Sequence, residues 1–445
     1  MNPRLFIWSL TSALAGFLFG FDTIVISGAE QDIQTQWRLD GMTHGLCMSA
    51  ALWGTVLGAV FGGLPTERFG RRKTLLWIGC LYFVSAVGSA LAGEQYTFML
   101  ARFIGGVGVG IATVASPLYI AEISPPGLRG RLAGMFQFNI VFGILVAFVS
   151  NYLIGNYVDA AVAWRWMLGV EAIPALIYTV MCFTIPESPR WLITHGGQRD
   201  AGREIFATVN PDFSEQQLTE LVDSVQAGGG EASTKTPFFT GRLQKPITLA
   251  FLIAFFNQLS GINAILYFAP RIFEWTGLGE SAALLQSVGI GITNLIFTYL
   301  GLWLIDRLGR RTLMLIGSCG YIVSLGLCTW AFWTETFQIV PACIFAFIAA
   351  HAIGQGAVIW VFISEIFPNR HRAAGQALGS STHWLFAALL TLVFPTLAAQ
   401  LPPAAIFGFF AGMMVLQLFW VKFFMPETKG VPLEEMQSRL GIREA

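Results

Sequence analysis

Two groups of residues in this chain are of types and spacings that could do chemistry, and both sit inside otherwise apolar stretches. The first is a pair of opposite charges. Asp22 lies in Leu18-Phe19-Gly20-Phe21-Asp22, and Arg102 lies near the start of a later apolar run. Alone at mid-membrane, each would cost about 2.5–3.5 kcal/mol, and pairing them removes much of that cost. A buried carboxylate that can exchange an arginine partner for a proton is a coupling device. Ionised, it holds the pair; protonated, it releases Arg102. The plainer alternative is a static salt bridge between helices. The second group is Asn257-Gln258-Leu259-Ser260-Gly261-Ile262-Asn263, followed by Tyr267. On one continuous helix, Asn257, Ser260, Gly261 and Tyr267 share a face, with Gln258 and Asn263 on adjoining faces. Amides both donate and accept, which suits a neutral polyhydroxyl ligand better than an ion. The alternative is hydrogen bonding between helices, worth roughly 0.6–2 kcal/mol per contact.

Gln137, Asn294, Trp360 and the pair His383-Trp384 are further polar or aromatic groups within apolar runs. Aromatic rings stack on the apolar C–H face of a sugar, and amides bond its hydroxyl edges. His351 and Gln355 read first as packed, hydrogen-bonded groups.

The elements that must position these residues are membrane helices. Hydrophobic residues make up 55% of the 445-residue chain and charged residues 12%, about half the charge of a soluble domain. A run of about 20 apolar residues spans a bilayer core. We count twelve: 5–28, 47–64, 74–92, 97–120, 131–154, 163–184, 244–268, 282–304, 312–332, 339–363, 373–396 and 403–424. A long polar stretch after the sixth divides them six and six. The first run continues the helical pattern and reads as a retained helix, not a removed leader. Of 26 Lys and Arg, only Arg38, Arg165 and Arg271 fall on outer loops and Arg102 within a run. The positive-inside rule therefore predicts a multi-pass protein of the plasma (inner) membrane with both termini cytoplasmic. The basic loops are an orientation signal and not a nucleic-acid patch. Six cysteines are scattered without a CxxC, so neither a disulfide framework nor a metal site is expected.

The charged loops repeat. Glu67-Arg68-Phe69-Gly70-Arg71-Arg72 returns as Asp306-Arg307-Leu308-Gly309-Arg310-Arg311. Glu122 with Arg129 returns as Glu365 with Arg372, and Pro186-Glu187-Ser188 as Pro426-Glu427-Thr428, all at nearly one separation. Two homologous halves follow, the architecture of many secondary transporters. Four segments are expected: 1–187, a six-helix bundle; 188–243, a cytoplasmic helical linker; 244–428, a second six-helix bundle; and 429–445, a cytoplasmic tail.

Taken together, these residues resemble the sugar porter family of the major facilitator superfamily over essentially the whole chain. The motifs are Gly62 with Arg68, Gly70, Arg71 and Arg72; Arg102-Phe103-Ile104-Gly105-Gly106; Pro186-Glu187-Ser188-Pro189-Arg190-Trp191-Leu192; Gln258-Leu259-Ser260-Gly261-Ile262-Asn263; and Pro426-Glu427-Thr428-Lys429-Gly430. The resemblance implies an all-α membrane fold of twelve helices in two pseudo-symmetric bundles. It implies alternating access around a central hexose or pentose site, with no cofactor and a functional monomer in the bilayer. Gln137, Gln258, Asn263 and Asn294 would bond sugar hydroxyls, with Asn257 and His383 beside them. Phe19, Tyr267, Trp360 and Trp384 would line or close the site. Asp22 and Arg102 match the proton-coupling pair of the family's symporters, whose uncoupled facilitators commonly have Asn at the Asp position. Glu67, Arg68, Arg72, Glu122, Arg129, Glu187, Asp306, Arg307, Arg311, Glu365, Arg372 and Glu427 match its cytoplasmic gate, a network of inter-helical ion pairs that latches the outward-open state. The chain departs from the family at Asn257, where many members have Gln, and at His383 and His351, which replace an amide and an aromatic. Gly356 to Trp360 lacks the usual prolines, so the tenth span is expected to be less broken.

Three other readings compete with sugar–proton symport. A uniporter would use the same site without coupling. A membrane enzyme would need HExxH, GxSxG or paired carboxylates at one depth, and a second acid beside Asp22 is not expected. A transporter-like sensor would carry a long tail, whereas the chain ends shortly after the last run. Under the symport reading, Asp22→Asn abolishes uphill, protonophore-sensitive accumulation and leaves sugar exchange largely intact. Unchanged uphill uptake in that variant would remove Asp22 from coupling.

Overall fold

The computed structural model describes residues 2–125, 127–228, 238–239, 241–368, 371–431 and 433–442. The expected linker and tail therefore lie partly outside the described residues, at 229–237, 240, 432 and 443–445. Twelve helices among the described residues are long and apolar enough to cross a membrane. Spans 1–6 are Pro3–Gln36, Gly41–Phe61, Arg71–Leu91, Gln95–Ile123, Arg131–Tyr157 and Ala160–Cys182. Spans 7–12 are Gly241–Tyr267, Glu280–Leu308, Arg310–Trp333, Phe337–Ile366, Arg372–Gln400 and Pro403–Phe423. Helix is the expected form, because hydrocarbon offers the backbone no hydrogen-bond partner.

Three spans are irregular, each where polar residues cluster. Span 6 breaks between Gly169 and Ala172, leaving Val170 and Glu171 in the gap. Span 10 contains a π-helical turn at Ala352–Gly356. The helix stays continuous through this turn: Gly354 packs on Gly317 of span 9, and small residues carry the widened turn without proline. Span 7 ends one helix at Leu259 and starts another at Ile262. Gly261 sits there at φ +88°, and a Cβ at that position would stand 2.5 Å from the Phe410 ring. Ser260 Oγ donates to the Asn257 carbonyl at 2.6 Å and accepts from the Ile262 N–H at 3.3 Å, bridging the break. The single continuous helix expected from spacing is therefore corrected.

Spans 1–6 and 7–12 form two bundles that meet along spans 2 and 11, and 5 and 8. Helices Pro189–Thr194, Arg199–Val209 and Glu215–Gly228 join the first bundle's core, with Ile193, Phe206, Leu218 and Val222 packed among the same apolar residues as Leu5 and Leu132. The even number of spans puts both termini on one face.

The halves are not joined equally at the two faces. At the face opposite the termini, one apolar core runs through both halves, with Ile24, Val25 and Ile26 in the same cluster as Phe268 and Phe273. At the termini face, the first half keeps a core of its own. Among the described residues, every side-chain hydrogen bond between the halves lies toward the far face. Fully buried Glu30 accepts from Arg271 Nε and Nη2, both at 2.8 Å, and meets His44 Nε2 at 2.8 Å. Gln34 takes a bond from Arg271 at 2.6 Å, Gln31 donates to Glu274 at 3.0 Å, and Ser281 donates to Asn156 at 2.6 Å. A cavity of about 820 Å³ lies instead at the termini end, between Phe6, Leu10, Arg131, Phe138 and Trp303. The molecule is closed at the far face and open toward the termini.

Removing one partner of a buried ion pair costs about 3–5 kcal/mol, and here that cost falls on the far-face-closed arrangement. We expect Arg271→Ala to shift the protein toward a state open at the far face. Spin labels at Gln36 and Glu280, in a chain lacking Cys80 and Cys319, should then report a longer distance distribution. An unchanged distribution would show that Glu30 and Arg271 do not hold this face shut.

Candidate functional site

A cavity of about 140 Å³ lies between the halves and shares Val141 and Thr298 with the larger opening toward the termini. Its walls include Phe19, Gln137, Asn257, Gln258, Asn263, Asn294, Trp360, His383 and Trp384, nine of the ten residues expected at a sugar site. The break at Gly261 brings Gln258 and Asn263 onto one wall although helical spacing set them apart. Asn263 Nδ2 donates to Gln258 Oε1 at 2.7 Å, and Gln258 Nε2 lies 3.1 Å from His383 Nδ1. Trp384 is flanked by Phe19 (centroids 5.5 Å apart) and His383 (4.7 Å). Trp360 also packs on His383, tilted, with centroids 5.3 Å apart. Asn294 Oδ1 accepts from Thr298 at 3.2 Å, and His351, also on the wall, meets the Tyr321 hydroxyl at 2.6 Å. Among the described residues, no charged side chain lines this cavity apart from what its two histidines can carry.

Tyr267, the tenth expected residue, is placed elsewhere. It is buried, and its hydroxyl interacts electrostatically with Arg102 and Asp22. Arg102 Nη1 donates to Asp22 Oδ1 at 2.6 Å, and Nη2 to the Asp22 carbonyl at 2.8 Å. Both residues are 1% exposed, and so is a third charged group, Glu171, which interacts with both. Neither Glu171 oxygen has a hydrogen-bond partner among the described residues, and the nearby hydroxyl of Tyr82 has none either. The sequence reading expected no second acid beside Asp22, and Glu171 corrects it. Its signal was present, an acid in the middle of an apolar run. Two buried carboxyls against one guanidinium leave one negative charge unbalanced. The cluster is neutral when it holds one proton.

The repeated cassettes build two matching clusters at the termini face, each wholly within one half. Arg71 bonds Glu122 with Nε and Nη2, both at 2.8 Å, and Glu67 at 2.9 Å. Arg310 bonds Glu365 at 3.0 and 2.7 Å and Asp306 at 3.0 Å. Glu187 accepts the Arg71 and Arg72 N–H groups at 2.8 and 3.0 Å, and Glu427 those of Arg310 and Arg311 at 2.9 and 3.0 Å. Each carboxylate thus caps a helix N-terminus, where free N–H groups and the helix dipole favour an anion. Burial pushes the Glu427 carboxyl up, but the N–H groups of Lys429, Arg310, Arg311 and Thr428 outweigh it and hold the group below the usual range. Gly70 (φ +91°) and Gly309 (φ +92°) precede these helices, and a Cβ there would lie 2.4 Å from Glu187 and 2.6 Å from Glu427.

Arg71 and Arg310, the centres of both clusters, were missed by the sequence reading, which named the next arginine in each cassette. Arg72 donates instead to the carbonyls of Cys182 and Phe183, and Arg311 to those of Val421 and Lys422. Arg129 and Arg372 bond the carbonyls of Ala121 and Ser364. Arg68 and Arg307 lie over the rings of Phe69 and Trp303. These six arginines make no ion pair among the described residues; four of them satisfy the open carbonyls that every helix end leaves.

The chain is similar to known proteins over nearly its whole length. The family described as "Sugar (and other) transporter" matches residues 8–440. The D-xylose-proton symporter of Escherichia coli (strain K12) is 34% identical, over 98% of this chain and 96% of its own. The glucose transport protein of Synechocystis is 33% identical, over 96% and 95%. A solved structure of the E. coli xylose transporter in a partially occluded inward-open conformation superposes with a TM-score of 0.86, at 32% identity, over 96% of this chain and 99% of that one. These relatives are transporters and not enzymes, and the fold is that of the major facilitator superfamily.

Arg71 and Arg72 should separate cleanly by mutation. Arg71→Ala leaves Glu122, 10% exposed, without its bidentate partner, and we expect a loss of about 2–4 kcal/mol. Arg72→Ala removes only carbonyl contacts near the surface, and about 1 kcal/mol should go. Thermal unfolding in detergent measures both; equal losses would contradict the assignment.

Proposed function

This chain belongs to the sugar (and other) transporter family, and on that premise we propose that it carries a monosaccharide, a hexose such as glucose or a pentose, across the membrane together with a proton. The observation that carries the proposal is an uncharged amide and aromatic cavity beside the buried Asp22, Arg102 and Glu171 cluster, with Tyr267 reaching from the cavity's helix toward that cluster. The cavity walls fit a neutral ligand with apolar faces and hydroxyl edges. The cluster takes up one proton per cycle, which removes its net charge and weakens the hold of Asp22 on Arg102.

In this reading the termini and basic loops face the cytoplasm of a bacterial-type inner membrane, which the distribution of Lys and Arg supports. The state described is then inward-facing. Residues 1–187 and 244–428 move as two bundles, with 188–243 linking them and 429–445 as a tail, in a single functional monomer. The cassette clusters keep each half rigid at its inner end. Glu30, His44 and Arg271 hold the outer end shut and must part before sugar can enter from outside.

Reconstitution in liposomes tests the proposal. With an imposed pH gradient and a panel of labelled sugars, at least one hexose or pentose should accumulate above equilibrium, and a protonophore should abolish the excess. Glu171→Gln should lower that accumulation at least about tenfold while exchange persists. Equilibration without accumulation would mean a uniporter. Transport of no sugar on the panel would overturn the proposal.

A further inference from the structure

Five side-chain amides form one directed chain that starts at the cavity and ends far from it. Asn263 Nδ2 donates to Gln258 Oε1 at 2.7 Å, and Gln258 Nε2 to Asn257 Oδ1 at 2.9 Å. Asn257 Nδ2 faces Gln355 Oε1 at 3.4 Å, Gln355 Nε2 donates to Gln417 Oε1 at 2.9 Å, and Gln417 Nε2 to Ser318 Oγ at 2.9 Å. Every member is at most 3% exposed except Asn263, at 7%. Gln355, Gln417 and Ser318 do not line the cavity. Gln355 stands in the π-helical turn of span 10, whose extra residue aims it between spans 7 and 12.

An amide can in principle be turned end for end, so the sense of such a chain needs an anchor. Two carbonyls, which only accept, supply it. Ser318 gives its single proton to the Met314 carbonyl at 2.7 Å, so its oxygen must accept from Gln417. Gln355 Nε2 also lies 3.3 Å from the Ile253 carbonyl, which independently demands an NH₂ there. Both anchors dictate the same sense. At the cavity end, the NH₂ of Gln258 is then used by Asn257 and His383, and that of Asn263 by Gln258. What remains to meet a ligand is the carbonyl oxygen of Gln258 and, on Asn263, Oδ1 together with its second N–H.

We infer that Gln355 and Gln417 are positioning residues for substrate recognition: through this chain they orient the Gln258 amide so that it presents only its carbonyl oxygen and accepts a hydrogen bond from a hydroxyl group of a neutral sugar. The inference rests on the sugar-binding reading of the cavity.

The test is equilibrium binding to the purified full chain, read from the fluorescence of Trp360 and Trp384, with a bound sugar and its single-position deoxy and fluoro analogues. Fluorine cannot donate a hydrogen bond. At a hydroxyl met only by acceptors, the fluoro analogue should therefore bind the unaltered chain no better than the deoxy analogue, both weaker by about tenfold or more. Gln355→Met releases the sense of the chain. Sugar affinity should fall by about tenfold, and the fluoro analogue should now bind about threefold better than the deoxy, because the freed amides can turn an NH₂ toward it. Gln417→Leu keeps the Ile253 anchor and should show the same change more weakly, which covers a failure of Gln355→Met to fold. If both variants keep the fluoro-to-deoxy ratio of the parent, the positioning role is overturned even where affinity drops. If the unaltered chain binds no sugar at all, the function fails and this inference with it.

Discussion

Hydrocarbon gives a polar group nothing to bond to, and that scarcity organises the whole molecule. Along each span the backbone satisfies itself as helix. Where a helix stops, something else must take over. At the termini face, Glu187 and Glu427 cap the starting helices, while Arg72, Arg311, Arg129 and Arg372 cap the ends of others. Where a span breaks in mid-bundle, side chains bridge the gap, as Ser260 does around Gly261. Glu171, Gln258 and Asn263 lie at or beside these breaks, and Gln355 lies in the π-helical turn. Loosened backbone and a ligand-sized cavity are two results of the same interruption.

The two halves answer the constraint alike at the surface and differently inside. Their cassettes share the same central bonds: Ser188 donates to Glu122 at 2.5 Å as Thr428 does to Glu365 at 2.6 Å. In the interior, the buried ions Asp22, Arg102 and Glu171 belong to the first half, while most of the amides on the cavity wall belong to the second. A charge that must come and go requires a group that titrates. A ligand that must be recognised and then released is better met by groups whose charge never changes. Tyr267 is the point where the two kinds of interior touch.

The fold and most of the cavity were legible in the sequence, because hydrophobic runs and repeated cassettes are one-dimensional signals. Gln258, Asn263 and Trp384 could be chosen as polar or aromatic residues in apolar surroundings. Their meeting on one wall could not, since it depends on the turn at Gly261 and not on helical period. The choice between Arg71 and Arg72 also escaped, because neighbours on a helix point about 100° apart and only the packed structure shows which one faces Glu122. Glu30 and His44 lay beyond the boundaries drawn for the first two runs. Gln417 looked like an isolated amide in span 12, since its partners come from spans 9 and 10.

The unequal count of buried acids and bases reaches beyond proton binding. Asp22 and Glu171 against Arg102 carry one net negative charge when empty of a proton and none when loaded. A neutral sugar adds nothing to that sum. Under the proposed coupling, the loaded carrier would cross the membrane without moving charge, and the empty one would carry one negative charge back. A membrane potential is worth about 2.3 kcal/mol per charge per 100 mV. With a cell interior that is negative, voltage would act on the unladen return and leave the sugar-bearing stroke untouched.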